Sequence, residues 1–243
     1  MEKESKKISN GVKPNILVSI TTTNPDWKER IKEIDKLGLK EIALFVTCID
    51  VKARKEFYKL LEETKLEKIP FVHLRDDVEE WEYEYLIKKY KTEVFNTHFN
   101  RVDDRFMEAS KKYLNKIYLE NHKETPDDKI YLLDDFAGIC LDISHWENFG
   151  NLLKLNNYKK FSKLLKKYKI GCCHISAIMA KPIFDKEYGI WDYASHYMHN
   201  LSEMDYVKKY KKYLPKICAL EIENSLEEQL EIKKYIEKLL DNF

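Results

Sequence analysis

Acidic residues and histidines follow apolar runs at several places in the sequence, and these residue types are the ones best able to carry chemistry. In "GICLDISHW" (138–146), an apolar run leads into Asp142 and then, three residues later, His145. Other apolar runs end in the same way, at His73, His98, Glu120, His174 and Glu221. Carboxylates and imidazoles transfer protons, and they are the ligands that suit Zn²⁺, Mn²⁺ or Mg²⁺. Brought together, such groups predict a divalent metal site.

The elements that must position these groups are eight β-type runs with helical segments between them. The runs cover residues 15–21, 41–47, 69–74, 93–98, 116–121, 137–143, 170–176 and 217–223. Intervening segments such as "KARKEFYKLLEETK" carry apolar residues at i, i+3, i+4 and i+7. This alternation predicts an α/β fold, a single (β/α)₈ TIM barrel. A doubly wound open sheet is the alternative, but the sequence offers no glycine-rich phosphate turn.

Two helix starts and one long connection support this division. Asn24-Pro25 before Asp26 is typical of a helix N-terminus, and Ser225 with Glu228 forms the pattern of a capping box. The segment "AIMAKPIFDKEYGIWDYASHYMHN" (177–200) is too long for a plain connection between a strand and a helix. Long loops on one face of a barrel usually serve function.

Composition limits the classes of partner and the cellular location. Lys and Arg number 43 against 42 Asp and Glu, so no global field attracts nucleic acid or an anionic membrane. No apolar run approaches the roughly 20 residues of a membrane span. The five cysteines lie in or next to apolar runs without C-x-x-C spacing, which favours reduced thiols in a cytoplasmic protein. We expect a disordered polar tail over residues 1–13 and one barrel domain over residues 14–243.

In a barrel, the carboxyl ends of all strands meet at one mouth, so residues far apart in sequence can share a site. Several carboxylates in one mouth repel each other and lose hydration, and a divalent cation relieves both costs. The alternative is a mouth lined by polar groups that holds no metal.

The ordered set of strand ends resembles the xylose isomerase-like TIM barrel superfamily. That superfamily includes sugar isomerases and epimerases and also the endonuclease IV type of apurinic-site nuclease. "GICLDISHW" resembles its sixth-strand motif, and "YLENH", "CCHIS" and "ALEIEN" resemble the ends of strands five, seven and eight. The resemblance covers residues 14 to 241. It implies a shared metal site composed of Glu120, Asp142, His174 and Glu221.

The resemblance also implies roles for further residues. His145 would bind a second metal or the substrate. His73 and His98 match histidines that bind additional zinc ions in endonuclease IV-type enzymes and that many isomerase relatives also retain near the substrate. His199 resembles the histidine of the loop after strand seven, although His196 is close by and Asp192 is only a possible partner for it. The stretch "HISAI" departs from the family pattern, because Ser176 and Ala177 stand where an acidic residue is often found.

Three residues each have two possible roles. Glu223 lies on the same strand face as Glu221 and is the alternative ligand. Arg75 could hold a substrate phosphate, or it could pair with Asp76 or Asp77. Trp146 could stack on a sugar ring or make a plain contact at the rim.

Two reactions suit such a site. The first is a metal-dependent isomerisation or epimerisation of a small carbohydrate, a sugar or sugar phosphate, with Glu120 or Glu221 moving a proton next to a polarised carbonyl. The alternative is zinc-dependent phosphodiester hydrolysis at abasic sites, which alone would make DNA a partner. A barrel that binds a ligand without catalysis is a third class. No membrane partner is expected, and a homo-oligomer is possible.

Overall fold

The computed structural model describes residues 13–123, 127–186 and 189–241. The predicted polar tail, residues 1–13, lies outside the described residues except for Lys13, whose ammonium pairs with the Asp241 carboxylate at 3.1 Å. Within the described ranges, no helix combines the length and apolar character needed to cross a membrane.

Nine parallel strands form a nearly closed barrel, and a separate two-stranded hairpin follows the eighth strand. The barrel order is β1-β11-β8-β7-β6-β5-β4-β3-β2, and β9 pairs with β10 in antiparallel fashion. The strands are β1 (Asn15–Leu17), β2 (Ser19–Thr21), β3 (Glu41–Phe45), β4 (Lys68–His73), β5 (Val94–His98), β6 (Ile117–Glu120), β7 (Gly138–Asp142), β8 (Ile170–Ile175), β9 (Ala177–Asp185), β10 (Ile190–Ser195) and β11 (Ile217–Leu220).

The first predicted strand is interrupted at Val18, which separates β1 from β2. β1 pairs with β11, whereas β2 pairs with β3, so the two ends of the sheet are neighbours in the chain. Next to the interruption, the side-chain amide of Gln229 accepts a hydrogen bond from Ser19 N at 2.7 Å and donates one to Ser19 O at 3.0 Å. All eight runs expected to be strands therefore contribute to the barrel sheet.

Helices surround the barrel on its outer side. They are α1 (Trp27–Lys36), α2 (Val51–Glu62), α3 (Glu80–Tyr90), α4 (Asp104–Ser110), α5 (Ile143–His145), α6 (Phe161–Lys167) and α7 (Leu226–Asp241). In α1, the buried Trp27, Ile31 and Ile34 follow the helical period, as expected for a helix that covers a sheet. The predicted capping box of α7 is present, since Ser225 Oγ accepts from Glu228 N and Ser225 N donates to the Glu228 carboxylate.

The alternation of strand and α-helix is irregular in two places. A 3₁₀ helix (Asp127–Asp134) stands between β6 and β7. After β8, the β9–β10 hairpin and a long 3₁₀ helix (Leu201–Tyr213) occupy the connection to β11. The hairpin lies in the segment that the sequence marked as too long for a plain loop.

Alternate residues of each strand divide the apolar core into two layers. On β3, Ala43 and Phe45 belong to the inner cluster of the barrel, whereas Ile42 and Leu44 belong to the cluster between sheet and helices. The same alternation holds on β7, where Cys140 is inner and Leu141 is outer. Because successive side chains on a strand point to opposite faces, the position two residues after an inner residue is inner as well.

A buried charge cluster ties the second and third helices to the loop that follows β4. Arg54 on α2 is 1% exposed and donates to both carboxylate oxygens of Glu82 on α3, at 2.7 and 2.8 Å. Arg54 Nη1 also donates to Asp77 Oδ1 at 2.7 Å. The guanidinium thus satisfies two carboxylates at once, in the geometry that makes such buried pairs effective.

Candidate metal centre

Strand alternation brings the predicted ligands into the barrel at its carboxyl end. Tyr118, Cys140 and Cys172 are inner residues on β6, β7 and β8. Two positions further along these strands stand Glu120, Asp142 and His174, and all three are completely buried. On β11, the inner Ala219 is followed two residues later by Glu221, which is 8% exposed. Because side chains alternate along a strand, the inner apolar residue of each strand determines that the polar residue two positions later also points into the barrel.

These four side chains converge on one point. One ligand atom from each of Glu120, Asp142, His174 and Glu221 lies within 4.8 Å of the others, a spacing that could hold a metal ion. His174 Nδ1 lies 3.2 Å from an oxygen of Glu120, 3.2 Å from Glu221 Oε2 and 3.9 Å from Asp142 Oδ2.

Hydrogen bonds from neighbouring groups orient the carboxylates of Asp142 and Glu120 and leave one oxygen of each without a partner. Asp142 Oδ1 accepts hydrogen bonds from His145 N at 2.7 Å and from the Ser144 hydroxyl. Glu120 Oε2 accepts from Asn96 Nδ2 at 2.6 Å. The opposite oxygens of both carboxylates are left without a hydrogen-bond partner.

Each of the four clustered residues carries at least one unpartnered buried atom, which is a property expected of a cation site. Among the described residues, buried side-chain atoms without a hydrogen-bond partner include Glu120 Oε1, Asp142 Oδ2, Glu221 Oε2, His73 Nδ1 and both ring nitrogens of His174. Buried polar atoms are rarely left unpaired, because each costs roughly 1–3 kcal/mol. A divalent cation would satisfy several of these atoms together, so the donor set fits a metal ion.

The electrostatics of the cluster point in the same direction. Burial lowers the pKa of His174, but Glu120 and Glu221 outweigh burial and raise it well above its usual value. Burial raises the pKa of Glu221, yet the charge of His174 more than offsets this and brings that pKa to about 2. The imidazolium and the two carboxylates thus stabilise one another's charged forms, and a bound cation would stabilise the carboxylates in the same way.

A second group of possible ligands shares Glu120 with the first. One atom from each of His73, His98 and Glu120 lies within 4.8 Å of the others. His73 Nδ1 lies 3.6 Å and His98 Nε2 lies 3.4 Å from oxygens of Glu120. Burial lowers the pKa of His73 to about 3, so its ring is neutral near pH 7, as a metal ligand requires.

His145 lies at the edge of the first group. Its Nδ1 makes a hydrogen bond with the carbonyl oxygen of Asn121 at 2.9 Å and lies 3.4 Å from Asp142 Oδ2. Burial lowers the pKa of His145, but Asp142 and Glu120 raise it above its usual value overall. A protonated imidazole at this position can donate a proton or a hydrogen bond to a bound molecule.

Four further residues named from the sequence lie elsewhere or are already paired. His199 is exposed and belongs to none of the ligand groups found among the described residues, whereas the charge of His196 acts on Glu221. Arg75 lies 3.5 Å from both Asp76 and Asp77, which is the pairing that the sequence left open. Glu223 accepts a hydrogen bond from Thr23 Oγ1 at 2.6 Å.

Trp146 and Asp192 serve other contacts. The Trp146 ring packs against Phe161, Tyr210 and Tyr213, with ring centroids 5.1 to 5.3 Å apart. These contacts place it among aromatic residues of the outer layer. Asp192 Oδ1 accepts a hydrogen bond from Asn148 Nδ2 at 2.6 Å, which anchors the β9–β10 hairpin to the π-helical turn Trp146–Leu152.

Two residues beside the cluster did not emerge from the sequence. The His122 ring lies 4.9 Å from the rings of His98 and His145, and burial lowers its pKa to about 3. The side-chain amide of Asn121 donates a hydrogen bond to the backbone carbonyl of Asp142 and accepts one from its backbone N–H. These two bonds hold the ends of β6 and β7 together. Its spacing in the sequence could have indicated its position, because His122 stands two residues after the inward-facing Glu120.

No protein-family model matches this sequence, and no curated protein matches it.

Proposed function

We propose that the protein is a divalent-metal-dependent enzyme with a (β/α)₈ barrel of the xylose isomerase-like type. The closing of the sheet between β1 and β2 supports the fold, because these two consecutive strands count as one interrupted strand in an eightfold barrel. The single observation that carries the function is the set of unpartnered donor atoms on Glu120, Asp142, His174 and Glu221.

The reaction we propose is isomerisation or epimerisation of a sugar or sugar phosphate. When bound, the cation supplies a Lewis acid that polarises the substrate carbonyl. Glu221 is the better placed of the two glutamates to move the proton next to that carbonyl, since it is 8% exposed whereas Glu120 is fully buried. Its low pKa keeps its carboxylate ionised near pH 7, which is the form that proton acceptance requires. His145, whose pKa is raised, would hold a proton near the substrate oxygen.

Hydrolysis of a phosphodiester at abasic DNA sites is the second candidate, and the shared Glu120 favours it. Glu120 belongs to three groups of possible ligands. A carboxylate shared in this way is suited to bridging two metal ions, and paired ions are typical of nucleases and phosphatases. Against this candidate, Arg75 and Arg101 follow the ends of β4 and β5 and both pair with Asp76, which reduces the positive charge available to a phosphate backbone.

Metal content and two activity assays test the proposal. For the purified protein we expect one tightly bound divalent ion and metal-dependent exchange of a substrate proton when ketoses or ketose phosphates are incubated in D₂O. Glu221→Gln should abolish the exchange, whereas the matched variant Glu223→Gln should retain it, because Glu223 is engaged with Thr23. Two or more zinc ions together with cleavage of an abasic oligonucleotide would establish the second candidate instead. Absence of bound metal and of both activities would refute both reactions.

A further inference from the structure

A cysteine lies one layer below the proposed metal centre. Cys140 on β7 stands opposite Glu120 on β6 and opposite Cys172 on β8, and it precedes Asp142 by two residues. Its side chain belongs to the inner cluster of the barrel and is completely buried. The sequence indicated only a core thiol at this position, but strand alternation directs it to the same face as the proposed ligands.

The thiol lies within reach of a glutamate oxygen and of an unpartnered ring nitrogen. Cys140 Sγ, one oxygen of Glu120 and one ring nitrogen of His174 lie within 4.8 Å of one another. Glu120 Oε1 and both nitrogens of His174 are buried without a hydrogen-bond partner. In tetrahedral geometry, bonds of about 2.3 Å to sulfur and about 2.0 Å to oxygen or nitrogen place the donors about 3.3 to about 3.5 Å apart. Side-chain shifts of about 1.5 Å at most would therefore complete such a site.

The other cysteines do not share this position. Cys173 and Cys218 belong to the cluster between sheet and helices, and Cys48 is exposed. Cys172 is an inner residue like Cys140, but among the described residues it belongs to no group of possible ligands. The chain therefore contains a matched internal control for any property assigned to Cys140.

We propose that Cys140 supplies a sulfur ligand to the centre and makes it selective for thiophilic divalent cations such as Zn²⁺, Co²⁺ or Cd²⁺ over Mg²⁺. The inference rests on the metal centre proposed above and goes beyond it by naming the class of cation. On binding, the S–H bond breaks, a metal–sulfur bond forms, and the proton leaves to the buffer. Soft thiolate ligands favour zinc-like metals, whereas magnesium prefers oxygen donors and retains its water.

Cobalt provides the direct test, because thiolate coordination gives Co²⁺ an intense sulfur-to-metal charge-transfer absorption in the near ultraviolet. The full chain is freed of metal and titrated with Co²⁺, and its spectrum is compared with those of Cys140→Ser and Cys172→Ser. We expect the band in the wild-type protein and in Cys172→Ser, and its loss in Cys140→Ser. Competition experiments should show that Cys140→Ser weakens Zn²⁺ binding about tenfold or more while Mg²⁺ binding is unchanged.

The other outcomes separate the two proposals. Tight Co²⁺ binding without the band, or a band lost in Cys172→Ser and kept in Cys140→Ser, would overturn the role of Cys140 and leave the metal centre intact. Absence of Co²⁺ binding by the wild-type protein would overturn both. If Cys140→Ser does not fold, the wild-type and Cys172→Ser spectra still decide whether a sulfur other than Cys172 binds the ion.

Discussion

Glu120 and His174 face each other across the intervening strand β7, with His174 Nδ1 3.2 Å from Glu120 Oε2. This contact joins two strands that are not hydrogen-bonded to each other. It also defines the charge balance of the cluster, because the imidazole stands between the carboxylates of Glu120 and Glu221.

Metal affinity should rise with pH. Although burial lowers the pKa of His174, Glu120 and Glu221 raise it well above its usual value, so the ring carries a proton near neutral pH before a cation binds. A cation must displace that proton, so the dissociation constant should fall about tenfold for each unit of rising pH below the pKa. Calorimetry in buffers of different ionisation enthalpy should detect about one proton released on binding. An affinity independent of pH between about 6 and about 8 would contradict this assignment.

Removing one ligand should weaken metal binding sharply. Asp142→Asn keeps the size of the side chain and the backbone of β7 but removes the charge of the unpartnered oxygen. We expect at least about a tenfold loss of affinity, measured by competition with a chromogenic chelator. Asp192→Asn is the control, since Asp192 binds Asn148 at 2.6 Å and belongs to no ligand group of the described residues. Equal metal content in both variants would show that the centre lies elsewhere.

The stability of the metal-free protein should fall on acidification, in part because of His73. Burial lowers the folded-state pKa of His73 to about 3, whereas a histidine in an unfolded chain titrates at about 6.5. Between these values the unfolded chain binds a proton that the folded chain does not, so folding weakens as pH decreases through this range. One such group contributes up to about 1.4 kcal/mol per pH unit.

Chemical denaturation across this pH range can isolate the contribution. His73→Asn should lower the number of protons taken up on unfolding by about one compared with the wild-type protein. His199→Asn, the same replacement at an exposed position, is the matched control. Identical pH slopes in the wild-type protein and His73→Asn would show that His73 does not titrate in this way.

Breaking the buried charge cluster should destabilise the outer layer. Glu82 on α3 is 1% exposed, and Arg54 on α2 is its charged partner. Arg54→Met therefore leaves a buried carboxylate without a compensating charge between the two helices. We expect a loss of about 3–5 kcal/mol in the free energy of unfolding, measured in denaturant. The double variant Arg54→Met with Glu82→Gln should recover part of that loss, because no buried charge remains at Glu82. A double variant as unstable as the sum of the single ones would argue against this explanation.

The sequence predicts the inner ends of the strands better than it predicts the segments after them. Asp142 and His174 were predictable because strand alternation carries from the apolar inner residues to the polar ends. Trp146 was not, since α5 begins directly after Asp142 and the chain then takes a helical path that carries the indole into the outer layer. The β9–β10 hairpin likewise depends on long-range contacts such as Asn148 with Asp192, which no local pattern encodes.

The pairing of β1 with β11 has a consequence for folding kinetics. Asn15 stands opposite Ile217, so the sheet cannot join its ends until both residues and all the strands between them are present. Contacts of such sequence separation form slowly, because a long loop must be closed before they contribute stability. Until then, the cluster lacks Glu221, which follows β11, and the edges of β1 and β8 offer unpaired backbone groups to other chains. The step that assembles the site is therefore also the step that protects the growing protein from aggregation.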